Sequence, residues 1–268
     1  MAARPFLKWA GGKRWLVSRG YLSIPNYAGK YIEPFLGGAA VFFYHTPTSS
    51  LLSDANAALV EVYIQLRDNW EVVWDNLCLH QRLHCKRHYY RERQLFRMTA
   101  AERAAQFLYL NRSCWNGLYR VNKKGEFNVP IGTKTSIIFP DDDFASISKA
   151  LRNATILASD FEPIIERATE GDFIFADPPY TVAHNNNGFV KYNENIFSWS
   201  DQIRLRDSCR RAVERGAIVY VTNANHRTIV ELYKGFGEVE EIKRESVIGG
   251  GPEYRGPVSE IGVLMRPD

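Results

Sequence analysis

Seven short apolar runs punctuate this chain, each bounded by the glycines, prolines and small polar residues that end strands. They are Lys30-Tyr-Ile-Glu33, Ser50-Leu-Leu-Ser-Asp54, Thr155-Ile-Leu-Ala158, Asp172-Phe-Ile-Phe-Ala176, Ala217-Ile-Val-Tyr-Val-Thr222, Val239 to Val247 and Val258 to Met265. Runs of roughly four to eight residues rich in Val, Ile, Phe and Tyr have the length and composition of strands. Helically spaced patterns lie between most of them, as at 200–215 and 225–234. Strand and helix in alternation predict an α/β fold with a largely parallel sheet. The last two runs are joined by Gly249-Gly-Gly-Pro-Glu-Tyr-Arg-Gly-Pro257, which leaves no room for a crossover helix. The final pair is therefore expected to be an antiparallel hairpin, which makes the seven-stranded sheet mixed.

Between about 57 and 145 the strand pattern disappears. Helical stretches dominate instead, at Ala55 to Leu77, Tyr89 to Arg97 and Ala100 to Asn111. With no repeat, low-complexity tract or Pro/Ser linker in the chain, the economical expectation is a helical domain, 57–145, inserted into an α/β domain made of 1–56 and 146–268. Charge sharpens this division. The whole chain carries only +4, yet residues 80–124 hold eleven Lys or Arg (82, 86, 87, 91, 93, 97, 103, 112, 120, 123 and 124) against Glu92 and Glu102, a net +9. Such a block reads either as a surface for a polyanion, whose phosphates release counterions on contact, or as the solvated face of helices.

Other features narrow the field. Cys78, Cys85, Cys114 and Cys209 form no Cys-x-x-Cys pair and sit near no His set with zinc spacing, so reduced thiols and no metal are expected. His80, His84 and His88 have helical spacing without an accompanying carboxylate cluster and read as surface or phosphate contacts. No apolar run approaches the roughly 20 residues of a membrane span, and the first residues lack the apolar centre of a signal peptide. A monomeric cytoplasmic protein is expected.

The most specific chemical signal is Asp177-Pro-Pro-Tyr180, directly after the run Phe173-Ile-Phe-Ala176. At the carboxyl end of a sheet strand, two prolines fix the backbone and donate no hydrogen bonds, so the Asp177 carboxylate and the Pro178 carbonyl present acceptors at a set spacing. Pro179 stiffens the turn, and Tyr180 adds an aromatic face. Two acceptors gripping the hydrogens of an exocyclic adenine amino group favour a pyramidal nitrogen and aim its lone pair outward, as attack on a sulfonium methyl requires. A second signal is Tyr31-Ile-Glu-Pro-Phe-Leu-Gly-Gly-Ala-Ala40, in which a strand passes through Phe35, Gly37 and Gly38 into a helix start, with Asp54 closing the next strand. Glycines followed by an acidic residue suit a ligand that carries a ribose; lacking Gly-x-Gly-x-x-Gly, the turn indicates no phosphate cradle, and by itself it is equally a structural turn. A third is Phe6-Leu-Lys-Trp-Ala-Gly-Gly-Lys13, where Lys13 either pairs with a ligand carboxylate or snorkels from a flexible start.

In this order the three motifs resemble the adenine-specific DNA methyltransferases of the Dam (D12) class, and the resemblance covers nearly the whole chain. It extends through Phe107-Leu-Tyr-Leu-Asn-Arg-Ser-Cys-Trp-Asn-Gly-Leu-Tyr-Arg-Val-Asn-Lys-Lys-Gly-Glu-Phe-Asn-Val-Pro130, which is similar to the family's recognition hairpin and is placed at about 112–131. The resemblance implies a Rossmann-like methyltransferase with an inserted helical target-recognition domain, working on double-stranded DNA in a bacterial or phage-infected cell. It implies S-adenosylmethionine as cofactor, S-adenosylhomocysteine as product and no metal. Trp9, Lys13 and Asp54 would contact the cofactor, Lys13 near its carboxylate and Asp54 on its ribose, over the turn Phe35-Leu36-Gly37-Gly38. Asp177 would contact the cofactor as well. Asp160 and Phe161 are similar to a segment that holds the cofactor's adenine, although Asp160 reads equally as a helix cap.

For DNA, the resemblance implies a GATC or related GAT-containing site. Arg120 would read a guanine, Leu118 and Pro130 would touch bases, and Lys8 would contact the first base pair. Trp115 and Asn116 would wedge into the duplex, with Asn122 in the same hairpin; a Trp115 packed inside the helical domain is the competing reading. Asn111 and Arg112 are expected to shape the hairpin. Phe197–Gln202 and Val221–Asn225 are expected to support the pocket, and Arg255 sits in a loop that could touch DNA. The competing classes are a methyltransferase for another planar amine and a silent DNA-binding module.

Overall fold

The computed structural model describes residues 3–122, 125–181, 197–245 and 257–267. Lys123, Lys124 and Arg255, and most of the 249–257 loop, lie outside the described residues. Seven strands are present: β1 (Tyr31–Glu33), β2 (Ser50–Asp54), β3 (Ala154–Ala158), β4 (Phe173–Ala176), β5 (Ile218–Ala224), β6 (Glu238–Glu245) and β7 (Pro257–Met265). They form one sheet in the order β3-β2-β1-β4-β5-β7-β6. β1 pairs in parallel with β2 and β4, and β4 with β5, whereas β7 runs antiparallel to β5 and β6. The sheet is therefore mixed, and its closing hairpin is the one expected from the short connection.

Strand burial follows from topology. Every residue of β1 and β4 is buried, which is why these strands read as unbroken apolar runs. β6, at the sheet edge, reads Glu-Val-Glu-Glu-Ile-Lys-Arg-Glu, a charged strand that discourages pairing with another chain. The strand order reverses between β1 and β4, and in open α/β sheets ligands collect outside the carboxyl ends of strands at such a point.

Ten α-helices accompany the sheet among the described residues: α1 (Arg14–Ser18), α2 (Ala40–His45), α3 (Ala57–Asp68), α4 (Trp70–Leu83), α5 (Lys86–Glu92), α6 (Ala100–Ser113), α7 (Phe144–Leu151), α8 (Phe161–Ile165), α9 (Trp199–Glu214) and α10 (Arg227–Tyr233). Their starts are legible in side chains. Thr99 and Glu102 form a reciprocal capping box on α6, Ser198 and Asp201 another on α9, and Asn56 accepts from the Leu59 N–H to open α3. The single helix expected from Ala55 to Leu77 is divided at Asn69 (φ −143°, ψ 37°), where α3 stops and α4 begins.

The chain forms two compact units: Met1–Leu22, Leu36–Thr48 and Asp54–Ala158 in one, and Ser23–Phe35, Ser49–Ser53 and Ser159–Asp268 in the other. The first is built on helices. α3 buries Leu59, Val62, Tyr63 and Leu66, one face at helical spacing, and α4 buries Val73, Leu77 and His80 in the same way. Phe6 packs edge-on among Phe43, Tyr63 and Phe144, so the amino-terminal segment is part of this core. The second unit carries most of the sheet with α8, α9 and α10, and its interior holds Phe173, Ile174, Phe175, Val219, Val221 and Val263. Each such side chain removed from water contributes about 1.5–3 kcal/mol.

Candidate active site and nucleic-acid interface

In the strand-rich unit, the buried run Phe173-Ile-Phe-Ala176 delivers Asp177 to the carboxyl end of β4. The parallel register pairs Ala176 with Val221, which brings the next residues of the two strands side by side. Thr222 Oγ1 accordingly donates to Asp177 Oδ1 at 2.6 Å. Tyr180 donates from its hydroxyl to Glu260 Oε2 at 2.7 Å, and Glu260 is brought there by the pairing of β7 with β5, opposite Ala224. Burial, and then the charges of Asp177 and Glu260, push the Tyr180 hydroxyl well above its ordinary pKa, so it stays a proton donor. Gln202 reaches the carbonyls of Pro179 and Thr181, both at 3.4 Å, and is itself held by Asn223 Nδ2 at 2.9 Å. The turn is thus fixed by side chains from β5, β7 and α9.

The same unit has an aromatic cluster. Phe35 stacks on Phe161 (5.3 Å between centroids, 28° between planes) and meets Phe197 edge-on at 5.6 Å. Asp160 takes the capping role: its Oδ1 accepts from the Glu162 N–H that opens α8. Both of its oxygens also accept from Arg204, at 2.6 and 2.9 Å, and that guanidinium lies 4.2 Å over the Phe161 ring. Partial burial alone would raise the Asp160 carboxyl; Arg204 and the helix N–H outweigh it and hold the group below its usual range.

In the helical unit, Asp54 Oδ2 accepts from the Gly37 N–H at 3.0 Å and Oδ1 from the Asn56 N–H at 2.9 Å. Burial raises this carboxyl despite both bonds. A carboxylate has about four acceptor positions, so two amide donors leave Asp54 able to take a pair of hydroxyls, and its donor set fits a ribose. Gly37 has φ +45°, and a Cβ there would stand 2.8 Å from Trp9 Cδ1. The space the glycine leaves open is therefore filled by the Trp9 indole. Trp9 in turn lies parallel to Tyr119 at 5.6 Å and Phe107 at 6.4 Å. Gly38 lies under the same residue, its virtual Cβ 3.3 Å from Trp9 Cβ. Lys13 is buried, 3% exposed, and donates to the Gly11 carbonyl at 2.9 Å, so it does not snorkel.

The segment similar to the family's recognition hairpin belongs to this unit. Residues 107–113 of the motif are the last two turns of α6; the hairpin proper begins after them, with single antiparallel bridges Cys114↔Ile131 and Val121↔Phe127. Trp115 is 52% exposed, so the packed alternative is not adopted. Asn116 follows it in the left-handed region (φ 56°) and is exposed. Pro130 is exposed and accepts from the Trp115 N–H at 2.9 Å, while Leu118 is half-buried. Arg120 Nε donates to Asn128 Oδ1 at 2.9 Å, and Asn122 pairs with Glu126 through main chain and side chain. Lys8 is exposed, with its main chain bonded to Asn111.

Two expectations for the basic segment need correction. Part of its charge is internal: Arg112 is buried against Asp142, Arg103 binds Glu61, and Arg97 binds Glu92. Arg82, Lys86 and Arg87 remain exposed. Two of the three histidines are not surface contacts either, for His80 and His88 are each 5% exposed and share their site with the fully buried Glu92, while His84 is half-buried. Arg91 can only donate, so His88 Nδ1 accepts from it at 2.9 Å and His88 Nε2–H points to His80 Nδ1 at 3.0 Å. His80 also stacks on Tyr109, 4.7 Å away. The spacing Val73, Leu77, His80 along α4 was the signal for this burial. Glu260 escaped sequence reasoning altogether; its one hint was a carboxylate adjoining the apolar run Ile261-Gly-Val-Leu-Met265.

A mixed seven-stranded sheet with this acceptor turn after its fourth strand is the architecture of an α/β methyltransferase. The chain belongs to the D12 class N6 adenine-specific DNA methyltransferase family, whose sequence profile matches residues 9–247. It is similar to the type II methyltransferase M1.LlaDCHI of Lactococcus lactis subsp. cremoris, 37% identical over 96% of this chain and 94% of that one. It also resembles the type II methyltransferase M.MjaIII of Methanocaldococcus jannaschii (34%, covering 98% and 99%) and the DNA adenine methylase of Escherichia coli K12 (30%, covering 98% and 96%). Membership makes the chain an adenine-specific DNA methyltransferase and implies S-adenosylmethionine as the methyl donor. Among the described residues no helix is long and apolar enough to cross a membrane.

Proposed function

We propose that this enzyme methylates the exocyclic amino group of an adenine turned out of duplex DNA at GATC or a related GAT-containing site. The observation that carries the reading is the Asp177–Tyr180 turn, with Asp177 oriented by Thr222 and Tyr180 by Glu260. S-adenosylmethionine, when bound, supplies an electrophilic methyl group on a sulfonium. Asp54 holds its ribose, Lys13 its carboxylate, and Trp9, Phe35, Gly37, Gly38, Asp160 and Phe161 shape its surroundings. Asp177 and the Pro178 carbonyl accept the two amino hydrogens of the adenine, and Pro179 keeps that carbonyl in place. Tyr180 stacks on the extruded base, offsetting part of the few kcal/mol that unstacking costs. Held in this way the amino nitrogen would direct its lone pair at the methyl carbon, the new nitrogen–carbon bond forming as the carbon–sulfur bond breaks to release a neutral thioether, with the amino proton lost during or after transfer; orientation and fixed acceptors supply the acceleration.

The helical segment 57–145 acts as the target-recognition part. Arg120 reads a guanine, Leu118 and Pro130 touch base edges, Lys8 contacts the first base pair, Asn122 supports the hairpin, and Trp115 with Asn116 fills the space the adenine leaves. The test is transfer of labelled methyl groups to unmethylated duplexes that contain or lack GATC, by wild type and Arg120→Ala. Label confined to adenine in GATC duplexes is expected, with discrimination at the guanine relaxed by roughly 1–3 kcal/mol in the variant. Label elsewhere would remove the proposed site, and no label would remove the proposed chemistry.

A further inference from the structure

Asn111 occupies the last turn of α6 and is fully buried, 0% exposed. Its Nδ2 donates to the Lys8 carbonyl at 2.8 Å and to the Gly117 carbonyl at 3.2 Å, and its Oδ1 accepts from the Lys8 N–H at 3.1 Å. Both amide hydrogens and the carbonyl are used, and the reverse orientation of the amide would set like groups against each other at all three contacts. One side chain thus grips a main chain 103 residues away in sequence and a turn six residues away.

The turn is shaped to receive Lys8. Asn116 and Gly117 are consecutive left-handed residues (φ 56° and 66°), and a Cβ on Gly117 would lie 2.5 Å from Lys8 Cδ and 2.7 Å from Lys8 Cβ. The stem of Lys8 therefore rests on the bare α-carbon of Gly117. The neighbouring Arg112 grips the same amino-terminal segment at the Phe6 carbonyl, 3.0 Å away. The Trp115 N–H bonds to the Pro130 carbonyl, so Pro130 joins the same cluster.

We propose that Asn111 is a positioning residue for sequence discrimination: its buried amide locks the Lys8 main chain to the Gly117 turn, so that Lys8 and the Trp115–Leu118 turn meet DNA as one rigid reading head. This rests on the reading of those residues as DNA contacts. Base discrimination depends on readers held in register, because a wrong base pair is rejected only where the matching group cannot shift to accommodate it. Loosening Lys8 against the turn would let near-cognate duplexes fit, while the acceptors at Asp177 are untouched.

Asn111→Asp tests this with an isosteric side chain that keeps the acceptor for the Lys8 N–H but faces oxygen toward both carbonyls. Gly117→Ala tests it from the other side, by displacing the Lys8 stem. The wild-type site is first established by mapping methylated adenines in a duplex library; absence of adenine methylation at that stage sinks the functional reading and is distinguishable from failure of this inference. kcat and KM are then measured on the cognate duplex and its single-base-pair variants, with melting temperatures recorded. The cognate to near-cognate ratio of kcat/KM is expected to fall about ten-fold in both variants, at the base pairs where Lys8→Ala also relaxes selection, while cognate kcat falls less than about three-fold. A folded Asn111→Asp enzyme with wild-type discrimination overturns the proposal, as does a fall in cognate kcat that matches the fall in discrimination. Should Asn111→Asp not fold, Gly117→Ala decides alone, and retained discrimination there has the same meaning.

Discussion

The Asp177–Tyr180 turn and the proposed reading segment, 114–131, differ in how their key residues are held. At the turn, the two side chains proposed for the chemistry are held by other side chains, Asp177 by Thr222 and Tyr180 by Glu260, as strand register decides, while Gln202 holds the main chain at Pro179 and Thr181. Around the proposed reading segment, side chains of α6 hold main chain, beside side-chain pairs such as Arg120–Asn128 and Arg112–Asp142. Asn111 binds Lys8 and Gly117, and Arg112 binds the carbonyls of Phe6 and Ile137. Bonds between side chains specify the chemistry of both partners. Bonds to main chain fix a path and leave the residues along it free to differ. A reaction that must grip the same amino group at every site needs the first kind; a surface that selects one sequence among many is better served by the second.

The sharpest test removes the ion pair at the carboxyl end of α6, next to Asn111, that holds the amino-terminal segment. Arg112 and Asp142 form a buried bidentate ion pair, so Asp142→Ala leaves an uncompensated buried guanidinium and is expected to cost about 3–5 kcal/mol in urea unfolding. A loss near zero would mean that the pair does not carry this end of α6. Next in size, Asp177→Ala is expected to lower single-turnover methyl transfer by roughly 10² to 10³-fold while leaving duplex affinity, measured by fluorescence anisotropy, within about three-fold. Equal losses in both would show that the turn also serves reading.

A pH titration probes the helical unit alone. Burial, reinforced by His88 and the neighbouring arginines against the pull of Glu92, lowers His80 from 6.5 to about 4. The folded protein binds this proton less readily than the unfolded chain, so the contribution is complete above about pH 6.5 and is lost as pH falls toward and through 4. The stability lost from this group between neutral pH and pH 4 is about 3 kcal/mol. His80→Asn keeps an acceptor for His88 without titrating, and its denaturant midpoint should depend less on pH across that window. An unchanged slope would count against the burial of His80. The smallest effect belongs to the turn: Thr222→Val removes one bond to a carboxylate and is expected to lower kcat about ten-fold with KM for DNA unchanged.

Much of this molecule was legible in the chain. All seven strands lie within two residues of their apolar runs at the start, the short last connection announced the antiparallel hairpin, and the Asp-Pro-Pro-Tyr motif stood where a strand had to end. The starts of α6 and α9 fell within one residue of the stretches expected from 100 and 200, whereas the helix expected from Tyr89 to Arg97 runs from Lys86 to Glu92, opened by the Cys85 side chain accepting from the His88 N–H. The histidines misled because their spacing was taken as one helical face. α4 ends at Leu83 and α5 begins at Lys86, so His80 and His88 approach each other across a break. The basic segment misled for a related reason, since the carboxylates that neutralise Arg103 and Arg112, on Glu61 and Asp142, come from outside it.

By itself, then, the sequence determined what depends on neighbours along the chain: periodicity, turn chemistry and the motifs that place the chain in its family. Tertiary structure alone decided which distant groups complete them. Glu260 reaches Tyr180 through strand register 80 residues away, and Asn111 reaches Lys8 through the packing of the amino-terminal segment on α6. Hydrogen bonds act over about 3 Å whatever the separation in sequence. Their partners become readable only when folding has placed the main chain that carries them.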